Sequence, residues 1–141
     1  MSDTNTTDKP VQHLNPDGLV QSRGWTHAIT VTGNHKTIYI GGQDAVDAQG
    51  AVVAKGDLAR QTEKIFENLR VILTAAGADL HHIVKWTIYV LQGQSPQPAV
   101  EVFQKMWGNQ HQPPVITVVF VVALGNPDWL VEIDAIAIVP E

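Results

Sequence analysis

Val115-Ile116-Thr117-Val118-Val119-Phe120-Val121-Val122-Ala123-Leu124, a short turn, then Val131-Glu132-Ile133-Asp134-Ala135-Ile136-Ala137-Ile138-Val139, decides the fold. Both runs follow turn signals and are rich in β-branched residues, so they read as two strands, 115–124 and 130–139. The first is apolar on both faces. Val115, Thr117, Val119, Val121 and Ala123 share one face; Ile116, Val118, Phe120 and Val122 share the other. A sheet with one wet face alternates apolar and polar residues, and this strand does not. Two helices cover only one side of such a sheet. About three large side chains left wet on the other would cost several kcal/mol, at roughly 2 kcal/mol each. That competes with the whole stability of a small domain, ~5–15 kcal/mol. A second copy of the chain is the economical cover, so the expectation is a homo-oligomer.

Working outward, residues 57–76 form the clearest helix. Leu58, Thr62, Ile65, Leu69, Ile72 and Ala76 make one stripe, Asp57 caps its start and Gly77 stops it. A second helix runs from about Pro98 to Trp107, with Val102, Phe103 and Met106 inward, and ends at Gly108 and Pro113-Pro114. Residues 82–91 read as a strand whose apolar face is Val84, Trp86, Ile88 and Val90. Residues 27–32 and 37–43 read as strands around the turn Gly33-Asn34-His35-Lys36. Gly41-Gly42 at the end of the second predicts a bulge or the close approach of another group. The order ββαβαββ predicts an α+β sandwich, two helices on one face of a mixed sheet. Residues 1–12 are expected to be a flexible tail and 13–141 a single domain.

Composition narrows the function. A formal net charge of −5, with 9 dispersed Lys and Arg, argues against a nucleic-acid surface. No apolar run reaches the ~18 residues of a membrane span, and the polar start lacks a signal-peptide core. There is no cysteine, hence no disulfide or thiolate metal site. The six histidines lack metal-ligand spacing, so no metal is expected. Gly41-Gly42 is not a phosphate loop. A cytoplasmic protein without membrane or nucleic-acid partner is the expectation.

The ordered set of segments resembles the YjgF/RidA (Rid) family. Trp25-Thr26-His27-Ala28-Ile29, Ile38-Tyr39-Ile40-Gly41-Gly42-Gln43, Asp57-Leu58 through Ala75-Ala76-Gly77-Ala78, Ile83–Val90, Pro114 and Val131–Ala137 match its pieces over residues 25–139. The resemblance implies a chorismate-mutase-like fold and a homotrimer whose sheets form a central barrel. It also implies a small-molecule ligand in clefts between subunits, and cofactor-free hydrolysis of 2-imino or enamine acids.

One position departs. Where active members of the family carry a carboxylate-clamping arginine, this chain has Ile116; where they carry a serine, it has Gly41. A guanidinium binds a carboxylate bidentately; isoleucine cannot. Burying an unpaired carboxylate there would cost several kcal/mol, so hydrolysis of 2-imino acids is not expected. Val122 makes the same wall apolar. The resemblance leaves Glu132 as a catalytic base orienting water, with Trp25, Gly42, Gln43, Ile116 and Thr117 around the ligand. Each also has a plainer role: Glu132 as a solvent-edge charge, Trp25 as an interface anchor, Thr117 as a strand filler. Trp107 and Trp129 could line an apolar cleft but read more readily as core or interface anchors, Trp86 reads as core, and Arg23 could replace the missing cation but reads more readily as a solvated loop cation. Three functions follow. The first is an imine or enamine hydrolase acting on a substrate without a carboxylate. The second is a trimer that binds a metabolite or regulates without chemistry. An endoribonuclease or translation inhibitor ranks last.

Overall fold

The computed structural model describes residues 9–141. The expected tail falls mostly outside them, but Val11 and Gln12 belong to the first strand, β1 (Val11–Leu14). β1 pairs antiparallel with β2 (Ala28–Val31) in a two-stranded sheet. The main sheet has four strands: β3 (His35–Gln43), β4 (Ile83–Leu91), β5 (Val115–Val121) and β6 (Val131–Pro140). Their order is β3-β6-β4-β5, with β5 parallel to β4 and the other pairs antiparallel. The expected strands at 27–32 and 37–43 exist but do not pair; the chain changes sheets across residues 32–34. β5 and β6 are not neighbours either, because β4 lies between them.

Helix α1 (Leu58–Ala75) starts at Asp57, whose side chain accepts from the Arg60 N–H at 3.1 Å. Gly77, at φ +76°, takes the left-handed position past its end. Of its expected stripe, Leu58, Thr62, Ile65 and Leu69 are buried, while Phe66 and Leu73 replace the half-buried Ile72 and Ala76 in the core. There Ile65, Phe66, Leu69 and Leu73 meet Trp86 and Val90 of β4 and Val131, Ile133, Ala135 and Ala137 of β6. Helix α2 (Gln97–Trp107) packs beside α1. Its Phe103 makes edge-on contacts with Phe66 and Trp86, centroids 4.9 and 4.8 Å apart. A short 3-10 turn, Leu80–His82, precedes β4. The His82 ring accepts from the Asp79 N–H while Asp79 accepts from the His81 N–H.

The helices cover β6 and β4 but not the far half of β5. Val118 and Phe120 stand in register with the inward Ile88 and Val90, yet each is 51% exposed. Val122, just beyond β5, is 85% exposed. No helix among the described residues is long and apolar enough to cross a membrane.

Candidate functional site

Two groups of candidate residues form on opposite sides of the sheet. The first lies at β5. Thr26 is buried, and its backbone N–H donates to Pro114 O at 3.1 Å while its hydroxyl donates to Pro113 O at 2.6 Å. These bonds staple residues 22–27 to the chain just before β5. Trp25, edge-on to His27, is thereby held beside Ile116. Between this loop, α2 and β5 opens a cavity of about 800 Å3, floored by Trp86 and Trp107 and walled by Phe103 and Ile116. Its polar features are few. They are Ser22, Arg23, Gln104 and Asn109 of the lining; the Trp86 indole N–H beneath is shielded from solvent, with no acceptor among the described residues.

The second group lies where β3 meets β6. The β3–β6 register slips between Ile40 and Gln43, placing Gly41 and Gly42 opposite a single residue of β6. This is the bulge the paired glycines predict. The predicted close approach occurs as well. A methyl built on Gly42 would lie 2.5 Å from Glu132 Oε2 and 2.7 Å from its carboxyl carbon. The Glu132 side chain therefore lies across the bare Cα of Gly42. It points at Asp44, a carboxyl buried to 9% exposure. Burial, and then the adjoining Glu132 carboxyl and its charge, push Asp44 up to about 7 from its ordinary 3.8. Tyr89 stands in register with Glu132, and its hydroxyl donates to Asp134 Oδ2 at 3.3 Å. The Asp134 charge, with smaller contributions from burial and from Glu132, raises that phenol above its usual value.

Residues 18–139 match the family model described as Endoribonuclease L-PSP. A RutC family protein of Pyrococcus abyssi is 34% identical over 100 residues, 71% of this chain and 76% of that one. A Yersinia pestis structure, titled as a protein of unknown function of the conserved Rid family, superposes with a TM-score of 0.80 at 29% identity. That superposition covers 92% of this chain and 98% of the other. The chain belongs to the Rid family. The 2-iminobutanoate/2-iminopropanoate deaminase of Homo sapiens is 36% identical over 53 residues, 38% of this chain and 39% of that one.

In this Rid protein the predicted site residues do not all meet within the single chain. Trp25 and Ile116 share the β5 cavity. Thr117 lies with them along a groove on the free edge of β5, beside Lys85. Gly42 and Glu132 form the second group; Gln43 adjoins them, its amide donating to Gly41 O at 3.1 Å. Ile116 pairs with Trp86 on the helix side, whereas Glu132 pairs with Tyr89 on the other face, two strands away. Thr117 shares the face of Glu132 but not its neighbourhood. Trp107, read as core, also lines the cavity; Trp129 does not, packing its ring against Gly125. His81 stacks on His111 at 3.8 Å and is edge-on to Trp107, a structural role. Among the described residues no three His, Cys, Asp or Glu side chains converge as metal ligands.

Asp44 is the residue the sequence reading missed. Its signal was an acid directly after Gly-Gly-Gln at a strand end, where charged residues ordinarily face water. The displaced titration has a measurable consequence. Between 3.8 and about 7 the folded protein holds a proton that the unfolded chain has released. Stability therefore falls as pH rises through that window and levels off above it. The full displacement would carry ~4 kcal/mol at ~1.4 kcal/mol per pH unit, and contact of Glu132 with solvent reduces the expected loss to about 2 kcal/mol. Urea unfolding at pH 5 and pH 8 should show this loss in the natural protein and not in Asp44→Asn. An equal loss in both would exclude Asp44 as its origin.

Proposed function

We propose that this Rid protein hydrolyses a small imine or enamine that carries no carboxylate, using a water held by Glu132 and no cofactor. The observation that carries the reading is the pairing of a retained, rigidly seated acid with an apolar wall. Glu132 is pressed over Gly42, while Ile116 stands where a carboxylate-binding arginine would be needed. A seated carboxylate can take a proton from water attacking an imine carbon. The nitrogen then leaves as ammonia or an amine, and a carbonyl remains. The large cavity lined by Trp25, Trp86 and Phe103 suits an apolar substrate body. The deaminase name of the human relative supports the reaction type.

The reading includes a homotrimer, because Glu132 and Ile116 lie on different faces of one protomer and a cleft between subunits is needed to join them. The bare apolar ridge of Val118, Phe120 and Val122 supports such assembly. Light scattering at micromolar concentration should give about three times the 15.4 kDa protomer mass. A ligand-binding trimer without chemistry is the second reading, favoured by Gly41, which supplies no hydroxyl beside Gly42. Ribonuclease action ranks below both, since a net charge of −5 repels a phosphate backbone.

The test is release of ammonia or amine from freshly generated imines with and without a carboxylate. The expected result is turnover of the carboxylate-free compounds, little or none of 2-aminoacrylate, and at least a hundredfold loss in Glu132→Gln. Efficient turnover of 2-aminoacrylate, or full activity in Glu132→Gln, would overturn the reading.

A further inference from the structure

Asp44 has no ordinary reason to be where it is. It follows the last residue of β3, is nine-tenths buried, and its Oδ1 is shielded with no donor reaching it among the described residues. A buried carboxylate with a bare oxygen is costly, so such groups either find a donor or keep a proton. The group that faces Asp44 is another carboxyl, Glu132. Two carboxyl groups in contact cannot both ionise without mutual repulsion. A single proton between them removes the repulsion and supplies Asp44 with its missing hydrogen bond.

The surroundings favour that shared proton. No ion pair within 4.0 Å reaches either carboxyl among the described residues. From β6, Asp134 adds negative charge nearby; from β4, Tyr89 presents a phenol that keeps its proton at neutral pH. From α1 comes the uncharged Asn68, whose amide donates to Asp44 O at 3.2 Å and Val46 O at 3.1 Å, fixing the backbone at this position. Gly42 completes the arrangement, because any Cβ there would push the Glu132 carboxylate out of reach.

We propose that Asp44 is a positioning residue for Glu132. It holds the proton the pair shares, pins one Glu132 oxygen by a hydrogen bond across Gly42, and leaves the other oxygen free to accept from a water molecule. Asp44 is thus the protonated member, and the Glu132 carboxyl is held in one direction. The catalytic meaning of this rests on the reading of Glu132 as the water-holding base; the shared proton itself does not.

Carbon-13 carboxyl NMR titration of the full chain without substrate tests the proposal. In the natural protein one aspartate should titrate near pH 7. That transition should vanish in Asp44→Asn. It should move down by at least one pH unit in Glu132→Gln, which removes the charge opposite, and in Gly42→Ala, which displaces it. Gly42 lies outside the left-handed region, so its alanine variant keeps the backbone. The proposal is overturned if no aspartate titrates above about pH 5.5, a unit or more above the usual carboxylate range. Persistence of the transition in Asp44→Asn, or no movement in both other variants, overturns it equally. Because no substrate is present, this outcome is independent of whether Glu132→Gln loses turnover.

Discussion

Replacing Trp86 with alanine should cost about 3–5 kcal/mol, the usual range for emptying a buried aromatic site. Trp86 is 1% exposed at the centre of the aromatic cluster. Phe66, Phe103 and Trp107 meet its ring edge-on at 5.7, 4.8 and 5.5 Å. Its ring joins α1, α2 and β4, so the vacancy cannot close by moving one element alone. A loss of this size approaches the whole stability of a small domain, and the variant should accumulate poorly. Trp86→Phe should keep most of the packing and cost about 1–2 kcal/mol. Phe at this position also removes the indole N–H, which has no acceptor among the described residues, so no hydrogen bond to them is broken. Urea midpoints of the two variants check this. A Trp86→Ala loss below about 1 kcal/mol would mean that the cluster collapses more readily than its geometry indicates.

Gln61→Leu should be nearly as damaging, for a different reason. Gln61 is fully buried in α1. Its amide donates to Asp128 O at 2.9 Å and Ala54 O at 3.3 Å, and its carbonyl accepts from the Leu130 N–H at 2.9 Å. Leucine fills a similar volume but leaves Asp128 O and the Leu130 N–H unpaired, at about 1–3 kcal/mol each where no water enters; Ala54 O keeps its bond from the Asp57 N–H at 3.0 Å. A total of about 2–4 kcal/mol is expected from these two groups. The Leu130 amide proton should exchange much faster in the variant. Unchanged stability with a protected Leu130 would show that the segment does not depend on this anchor. The segment matters because it leads into β6 two residues before Glu132, so Gln61 sets where the candidate base begins.

Much of this was legible in the sequence, because much of it is local. The stripe of α1, its Asp57 cap and its Gly77 stop are contained within about twenty residues. The bulge at Gly41-Gly42 was readable because two adjacent glycines weaken a strand unless the backbone must kink there or admit a close neighbour. Strand order was not readable. β5 and β6 adjoin in sequence, and nothing in their residues says that β4 separates them; that depends on which apolar faces the helices reach. β1 escaped notice because Val11-Gln12-His13-Leu14 is short and its pairing with Ala28–Val31 is remote. Asp44 was invisible for the same reason. Its burial and its partner arise only when β6 carries Glu132 across Gly42, some ninety residues further along.

β6 follows β3, β4 and β5 along the chain, yet it occupies the interior of the main sheet, between β3 and β4. During translation, β3 and β4 therefore wait with open backbone edges until residues 131–140 clear the ribosome. The sheet cannot be assembled progressively from the amino end, and its long-range pairings form together. A stop codon anywhere before residue 131 removes the keystone rather than an edge, leaving α1 without the β6 part of the surface it packs on. Nascent chains stalled near residue 125 should accordingly be protease-sensitive throughout, and become resistant in one step once β6 is released.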